Sequence, residues 1–271
     1  MIQKFYPIAL ADKTWDNTGL LVDSSYDDSS SALSTSSSAT NLKILLTIDL
    51  TQAVAEEAID QNVNLIMAYH PFIFRGLKSI TQQDPQQRSL IKLIQNNISV
   101  YSPHTAVDSA KGGVNDFLVD VITKGLNIES SKPIEEDKNT PENGMGRLVT
   151  LSGSSSTLKS LVESVKNGLQ LKHVQVAESI KGPSQEIKTI AVCAGSGGGV
   201  FKGIQADLYF TGELSHHEAL FFKESGSSVI CCNHSNTERS FLRVIQEQLQ
   251  KELPQDKIVI SENDKDPFET W

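Results

Sequence analysis

From residue 43 to residue 124, short and largely apolar runs alternate with stretches whose apolar positions recur every three to four residues. Ile44–Ile48, Leu65–Tyr69 and Ile98–Tyr101 read as buried strands. Between them, Val54, Ala55, Ala58 and Ile59 mark a helix over 51–62, and Leu90, Ile91, Leu93 and Ile94 mark one over 86–96. A further helix is expected over 114–124. Strands without polar alternation, separated by helices, belong to a parallel sheet covered on both faces. The rhythm resumes with Arg147–Leu151, a helix near 156–168 and a strand near 172–177. It continues with Thr189–Cys193, Asp207–Phe210, a helix over 214–225, Ser228–Cys232, a helix over 237–251 and Lys257–Ile260. The pattern predicts an α/β fold of two lobes, each a mostly parallel or mixed sheet flanked by helices. The first lobe is read as 1–128, with a Ser-rich flexible insertion at 24–41. Residues 129–144, with Pro133, Pro141 and clustered acids, are read as a loop or linker, and 145–271 as the second lobe.

Polar residues cluster directly after the strands, which is where parallel sheets bind ligands. Five of the six histidines lie there or in the next turn: His70, His104, His216, His217 and His234. His104 precedes Asp108 by four residues, and His234 precedes Glu238 by four. On a helix such pairs share a face, roughly 5–6 Å apart at Cβ, and a set of imidazoles and carboxylates suits Zn, Fe, Mn or Co. Plainer readings compete. Ser235-x-x-Glu238 is also a capping box, and Asp108 could cap a helix or serve the turn at Gly112-Gly113. Asp49 follows the first strand, where an N-cap role is favoured over a place beside the site. Pro71 aims His70 beyond the sheet edge, and Glu213 with His216 and His217 forms a second polar knot. The loop Ala194–Val200 has neither the phosphate-loop nor the dinucleotide pattern, yet backbone N–H groups at Gly197 and Gly198 could hold an anion as readily as form a plain turn.

Composition narrows the partners. With 24 Lys plus Arg against 33 Asp plus Glu, the 271-residue chain carries a net charge of −9. Broad coating of nucleic acid is excluded, and direct DNA binding is disfavoured. Cys193, Cys231 and Cys232 have no CxxC spacing and read as reduced core residues. No apolar run is long enough to span a membrane, and the first residues carry no secretory or transit signal, so a cytoplasmic setting is expected.

Several segments together resemble the NGG-one-interacting factor three family, also known as GTP cyclohydrolase type-two homologues. They are Trp15–Leu20 (WDNTGL), Thr47–Thr51 (TIDLT), His70–Phe74 (HPFIF), His104–Asp108 (HTAVD) and Gly112–Asn115 (GGVN), then the glycine loop from Gly195. Thr211–His217 (TGELSHH), His234–Glu238 (HSNTE) and Asp266–Phe268 (DPF) complete the set. The wording and the Ser-rich insertion are similar to those of a fungal member of the short form, which lacks a large central insertion. The resemblance implies a cleft between two lobes with a dinuclear metal centre at strand ends, ligands His70, Asp108, His234 and Glu238, and a hexameric ring. One position departs from it. The family carries two histidines before the proline, and here the first is Tyr69, a poor ligand as a neutral phenol. A second ion is therefore expected to be weak, absent or rescued by His104.

The function expected is a metal-dependent hydrolase acting on a small nucleotide or phosphorylated substrate, with one or two divalent ions per chain. His104 or His216 would move protons. Tyr69, Asp49, Glu213 and His217 would stand around the ligands, and Arg75, Lys78, Lys111 or Arg239 could neutralise a phosphate. The alternative is a non-catalytic metal-binding protein with a regulatory protein partner.

Overall fold

The computed structural model describes residues 1–24, 41–153 and 156–271. The Ser-rich insertion therefore lies almost wholly outside the described residues. In chain order the strands are β1 (Gly19–Val22), β2 (Lys43–Thr47), β3 (Leu65–Ala68), β4 (Ser99–Ser102), β5 (Asn127–Lys132), β6 (Glu135–Glu136) and β7 (Gly144–Met145). They continue as β8 (Arg147–Ser152), β9 (Gln175–Ala177), β10 (Thr189–Ser196), β11 (Leu208–Glu213), β12 (Ser228–Cys231) and β13 (Lys257–Ile260). The α-helices are α1 (Ile2–Phe5), α2 (Gln52–Asp60), α3 (Pro85–Gln95), α4 (Thr105–Ser109), α5 (Val114–Ile122), α6 (Leu158–Leu169), α7 (His216–Glu224), α8 (Asn236–Arg239) and α9 (Leu242–Glu252).

Two units divide the chain. The first comprises Met1–Ala106 and Leu242–Lys265, the second Val107–Phe241 and Asp266–Trp271. The first unit holds a five-stranded sheet in the order β1-β4-β3-β2-β13. β13, β2, β3 and β4 run parallel, and β1 pairs antiparallel with β4 at the edge. Leu45, Ile66, Ala68 and Val100 pack with Val54, Ala55 and Ala58 of α2 and with Leu90 and Leu93 of α3. α9 packs on β13 and β2. Thr51 opens α2 by accepting from the Val54 N–H, and Asp84 opens α3 through the Gln87 N–H, ahead of a proline in the first turn.

The second unit holds a six-stranded mixed sheet in the order β5-β8-β10-β11-β12-β9. The parallel trio β10, β11 and β12 lies at its centre. One face meets α5, with α6 packed on that helix, while Phe201, Tyr209 and Phe222 build a core on α7's side. Tyr209 and Phe222 stack with ring centroids 3.9 Å apart.

Three expectations need correction. Part of 129–144 is not linker, because β5 pairs with β8 across Asn127–Lys132, and β6 and β7 form a small ladder. The strand 257–260 joins the first unit's sheet beside β2, although it follows the second unit in sequence. The helix over 237–251 is two helices, broken where Phe241 is buried against Phe117 with ring centroids 5.6 Å apart. All three cysteines are free and buried. Burial pushes the Cys231 thiol up to about 11 and the Cys232 thiol up to about 12, so neither is a ready nucleophile.

Candidate metal centre

In the first unit the parallel ladder carries on past the end of β3. The Tyr69 N–H donates to Thr47 O (2.9 Å) and the His70 N–H to Ile48 O (3.1 Å), which sets His70 at the carboxyl end of its strand. Its Nδ1 lies 2.9 Å from Asp49 Oδ1, a carboxylate just past the end of the neighbouring β2. Asp49 is thus not the helix cap, a place Thr51 takes. One strand over, the His104 N–H donates to Tyr69 O (3.1 Å), and the residue sits in the left-handed region at φ +34°. Its Nδ1 lies 2.7 Å from Asp16 Oδ1, ahead of β1, the antiparallel neighbour of β4. Tyr69 is fully buried, with its ring edge-on to both imidazoles.

The second unit repeats the device. β12 ends at Cys231, Asn233 turns the chain at φ +67°, and His234 follows. Its Nδ1 lies 2.9 Å from Glu213 Oε1, at the end of the neighbouring β11. Each of these three imidazoles is therefore held at Nδ1 by a carboxylate that flanks an adjacent strand, just before β1 for Asp16 and at the carboxyl ends of β2 and β11 for Asp49 and Glu213. A carboxylate only accepts, so Nδ1 carries the proton and the neutral ring has its lone pair on Nε2. Histidines that bind metals are characteristically held in this way.

His234 Nε2 faces Glu238 Oε1 at 3.6 Å, and Glu238 is only 3% exposed. Gly195 makes that approach feasible. At φ +61° it lacks the side chain that would come within 2.9 Å of Glu238 Oε1 and 3.0 Å of His234 Nε2. Its N–H donates to Thr237 Oγ1 (2.9 Å), its carbonyl accepts from Thr211 Oγ1 (3.1 Å), and Thr237 Oγ1 in turn donates to His234 O (2.8 Å). Gly212 is equally constrained, since a side chain there would come within 2.6 Å of Gly195 O. Ser235 opens no capping box: its backbone is helical and its side chain caps nothing. The capping box in this region is Ser215 with Glu218, at the start of α7.

The candidate metal ligands among the described residues stand near strand ends in each unit, His70 in the first, and His234 with the Glu238 carboxylate in the second. Asp108 is buried on α4, where its carbonyl accepts from Asn115 Nδ2 (2.8 Å), and Asn115 Oδ1 accepts from the Ala194 N–H (2.9 Å). His216 and His217 are exposed at the start of α7, with ring centroids 5.3 Å apart. His217 and Glu218 also line a cavity of about 1030 Å³ with Phe201, Phe221 and Lys202. At the glycine loop, the Phe201 ring closes on Gly197 and the Glu218 carboxylate on Gly198, so an anion at Gly198 would meet a negative charge. Arg75 and Lys111 are exposed, and Arg239 donates to Ser235 Oγ (2.9 Å).

Sequence alone assigns no role to Asp16, Asn115, Thr211, Thr237 or Gly212. They stand inside or beside the site motifs, but only the sheet order shows what each one touches. Burial works against the Asp16 charge, yet hydrogen bonds and charge from His104, with further bonds from Thr105, hold its carboxyl below the usual carboxylate range.

Comparison with known proteins follows the same lines. The chain matches the Duf34/NIF3 (NGG1p interacting factor 3) family over residues 1–267. It belongs to this family. It is 48% identical to NGG1-interacting factor 3 of Saccharomyces cerevisiae, across 98% of this chain and 93% of that protein. It is 31% identical to NIF3-like protein 1 of Homo sapiens, across 95% and 87%. Among solved structures, a Bacillus cereus protein related to NIF3 superposes with a TM-score of 0.82 at 21% identity, covering 99% of this chain and 96% of that one. Reduced HcgD from Methanocaldococcus jannaschii superposes with a TM-score of 0.75 at 26% identity, covering 96% and 94%. Relatives thus match along nearly the whole chain in sequence, in animals as well as yeasts. No helix among the described residues is long and apolar enough to cross a membrane.

Proposed function

We propose that this NIF3-family chain is a metal-dependent hydrolase acting on a small nucleotide or phosphorylated substrate. The carrying observation is that His70, His104 and His234 are each held at Nδ1 by a carboxylate, with Glu238 buried facing His234. That donor chemistry fits Zn, Fe, Mn or Co. His70, His234 and Glu238 would hold one divalent ion, with Asp108 a further ligand by family resemblance. Such an ion supplies Lewis acidity and makes water acidic enough to act near neutral pH. Asp49 and Glu213 orient the ligand imidazoles. Asp16 keeps His104 in the tautomer whose Nε2 takes up a proton, and the exposed His216 is the second proton carrier. Arg75, Lys111 and Arg239 are the candidates for neutralising a phosphate.

A second ion would need a donor in place of the family's first histidine. Tyr69 is buried and bears a neutral phenol, so His104 is its candidate ligand. That same Tyr69 favours the second reading, a non-catalytic metal-binding protein with a regulatory partner. A cytoplasmic setting and a hexameric assembly, both carried from sequence, complete the proposal. Fungal origin is supported by identities of 48% and 45% to relatives in Saccharomyces cerevisiae and Schizosaccharomyces pombe, above 40% to a relative in Drosophila melanogaster.

The test is turnover. Protein reloaded separately with Zn, Mn, Fe and Co is offered a panel of nucleoside phosphates and sugar phosphates, with hydrolysis followed by chromatography. Hydrolysis that Glu238→Ala lowers by 100-fold or more is expected. Absence of turnover in metal-replete protein with every substrate would overturn the hydrolase and leave the second reading.

A further inference from the structure

The loop ahead of β1 spends three consecutive residues in an unusual way. Asp16 accepts from His104 Nδ1 and from the Thr105 hydroxyl, and the Asn17 side-chain amide donates to Ile73 O. The preceding residue, Trp15, is half exposed despite this anchoring. Its ring stands edge-on to His104, with centroids 5.7 Å apart, and 6.0 Å from Phe74, which is also exposed. Earlier in the same loop, the Asp12 carboxylate accepts from the Thr14 hydroxyl (2.6 Å) and N–H (2.8 Å), and these bonds, with the indole, hold its carboxyl below the usual range. Trp15 and Phe74 thus form a contiguous exposed aromatic patch beside His104, and contiguous patches of this kind, unlike single exposed side chains, mark binding surfaces.

We propose that Trp15 is a specificity-determining stacking platform for a planar nitrogen heterocycle that carries a phosphate, with Phe74 against the edge of that ring. This rests on the hydrolase reading and names its substrate class. The rings of Trp15 and Phe74 are tilted by 47° with centroids only 6.0 Å apart. That leaves no slot between them for a third ring, so the ligand stacks on the outer indole face. Both loops also set exposed cations beside the aromatic residue, Lys13 next to Trp15 and Arg75 and Lys78 after Phe74. Aromatic faces interleaved with cations suit a flat base bearing a phosphate better than an apolar peptide.

Trp15 and Trp271 are the only tryptophans, so Trp271→Phe leaves Trp15 as the sole indole reporter. That variant is titrated with guanosine monophosphate and with ribose 5-phosphate, in metal-free and metal-loaded protein. Saturable quenching by the nucleotide and none by the sugar phosphate is expected. By equilibrium dialysis, Trp15→Leu should weaken nucleotide binding about 10-fold or more, and Trp15→Phe should restore most of it. Melting temperature and metal content should stay at wild-type values in both. Nucleotide binding that Trp15→Leu does not alter, or quenching by both probes alike, would overturn the platform. So would a change of oligomeric state in Trp15→Leu without loss of nucleotide binding, which would make the ring a contact between copies. The two readings fail separately. Loss of the metal site alone would leave quenching in metal-free protein intact, and loss of the platform alone would leave metal content intact.

Discussion

Gly195 stands where two of the candidate ligands meet. Its backbone is held on both sides by threonine hydroxyls, and its bare α-carbon lies where the Glu238 and His234 side chains converge. Gly195→Ala would place a methyl within 2.9 Å of Glu238 Oε1 at a φ of +61°. The backbone alone costs about 1–2 kcal/mol, and His234 and Glu238 must move apart. Elemental analysis of this variant should show markedly less bound metal than wild type, with the protein still folded. Asp16 yields a prediction in pH. Its folded carboxyl lies below the ordinary value, so its contribution is full above about pH 4 and fades as pH falls through the lowered folded value. Asp16→Asn should therefore melt at a lower temperature than wild type at pH 7, by a loss of about 1–3 kcal/mol, and the gap should close on acidification below pH 4. A gap that is constant down to pH 2 would contradict the role given to its charge.

At the scale of elements, the six-stranded unit depends on a buried arginine. Arg147, at the start of β8, is 2% exposed. It pairs with Asp116 of α5 through Nε and Nη2, and its Nη1 donates to Gly144 O (2.8 Å) and Gly146 O (2.7 Å). Arg147→Met roughly keeps the volume but takes the guanidinium from the carbonyls of Gly144, Gly146 and Ala110 and leaves the Asp116 carboxylate with the Gly112 N–H. Urea unfolding should show a loss of about 3 kcal/mol. Most strands and helices were legible in the sequence, because buried strands such as β2 and amphipathic helices such as α3 reveal themselves within a dozen residues. What escaped depends on longer range. β5 is exposed along its length and polar but for Ile128, so no hydrophobic pattern announces it, and its identity comes from pairing with β8. The break between α8 and α9 has no proline or glycine to mark it; burial of Phe241 sets it. Thr51 and Asp49 are both sound caps locally, and it takes the neighbouring strand, which brings His70 to Asp49, to decide between the cap and the place beside the site.

Across the whole molecule, sequence places the histidines, Glu238, Asp49 and Glu213 beside strand ends, but shows neither the place of Asp16 nor which acid holds which imidazole. The anchoring carboxylates lie 21, 88 and 21 residues from His70, His104 and His234, and each becomes a neighbour only when strands pair. Sheet order thus turns scattered acids into three matching imidazole–carboxylate pairs, a pattern with a plain purpose if Nε2 is to coordinate an ion. Metal content per chain of freshly purified protein, by elemental analysis beside His70→Ala and Glu238→Ala, tests this most directly. At least one equivalent of a transition metal in wild type, lost in both folded variants, is the expected result. Values near zero that persist after reloading with Zn, Mn, Fe or Co would contradict it.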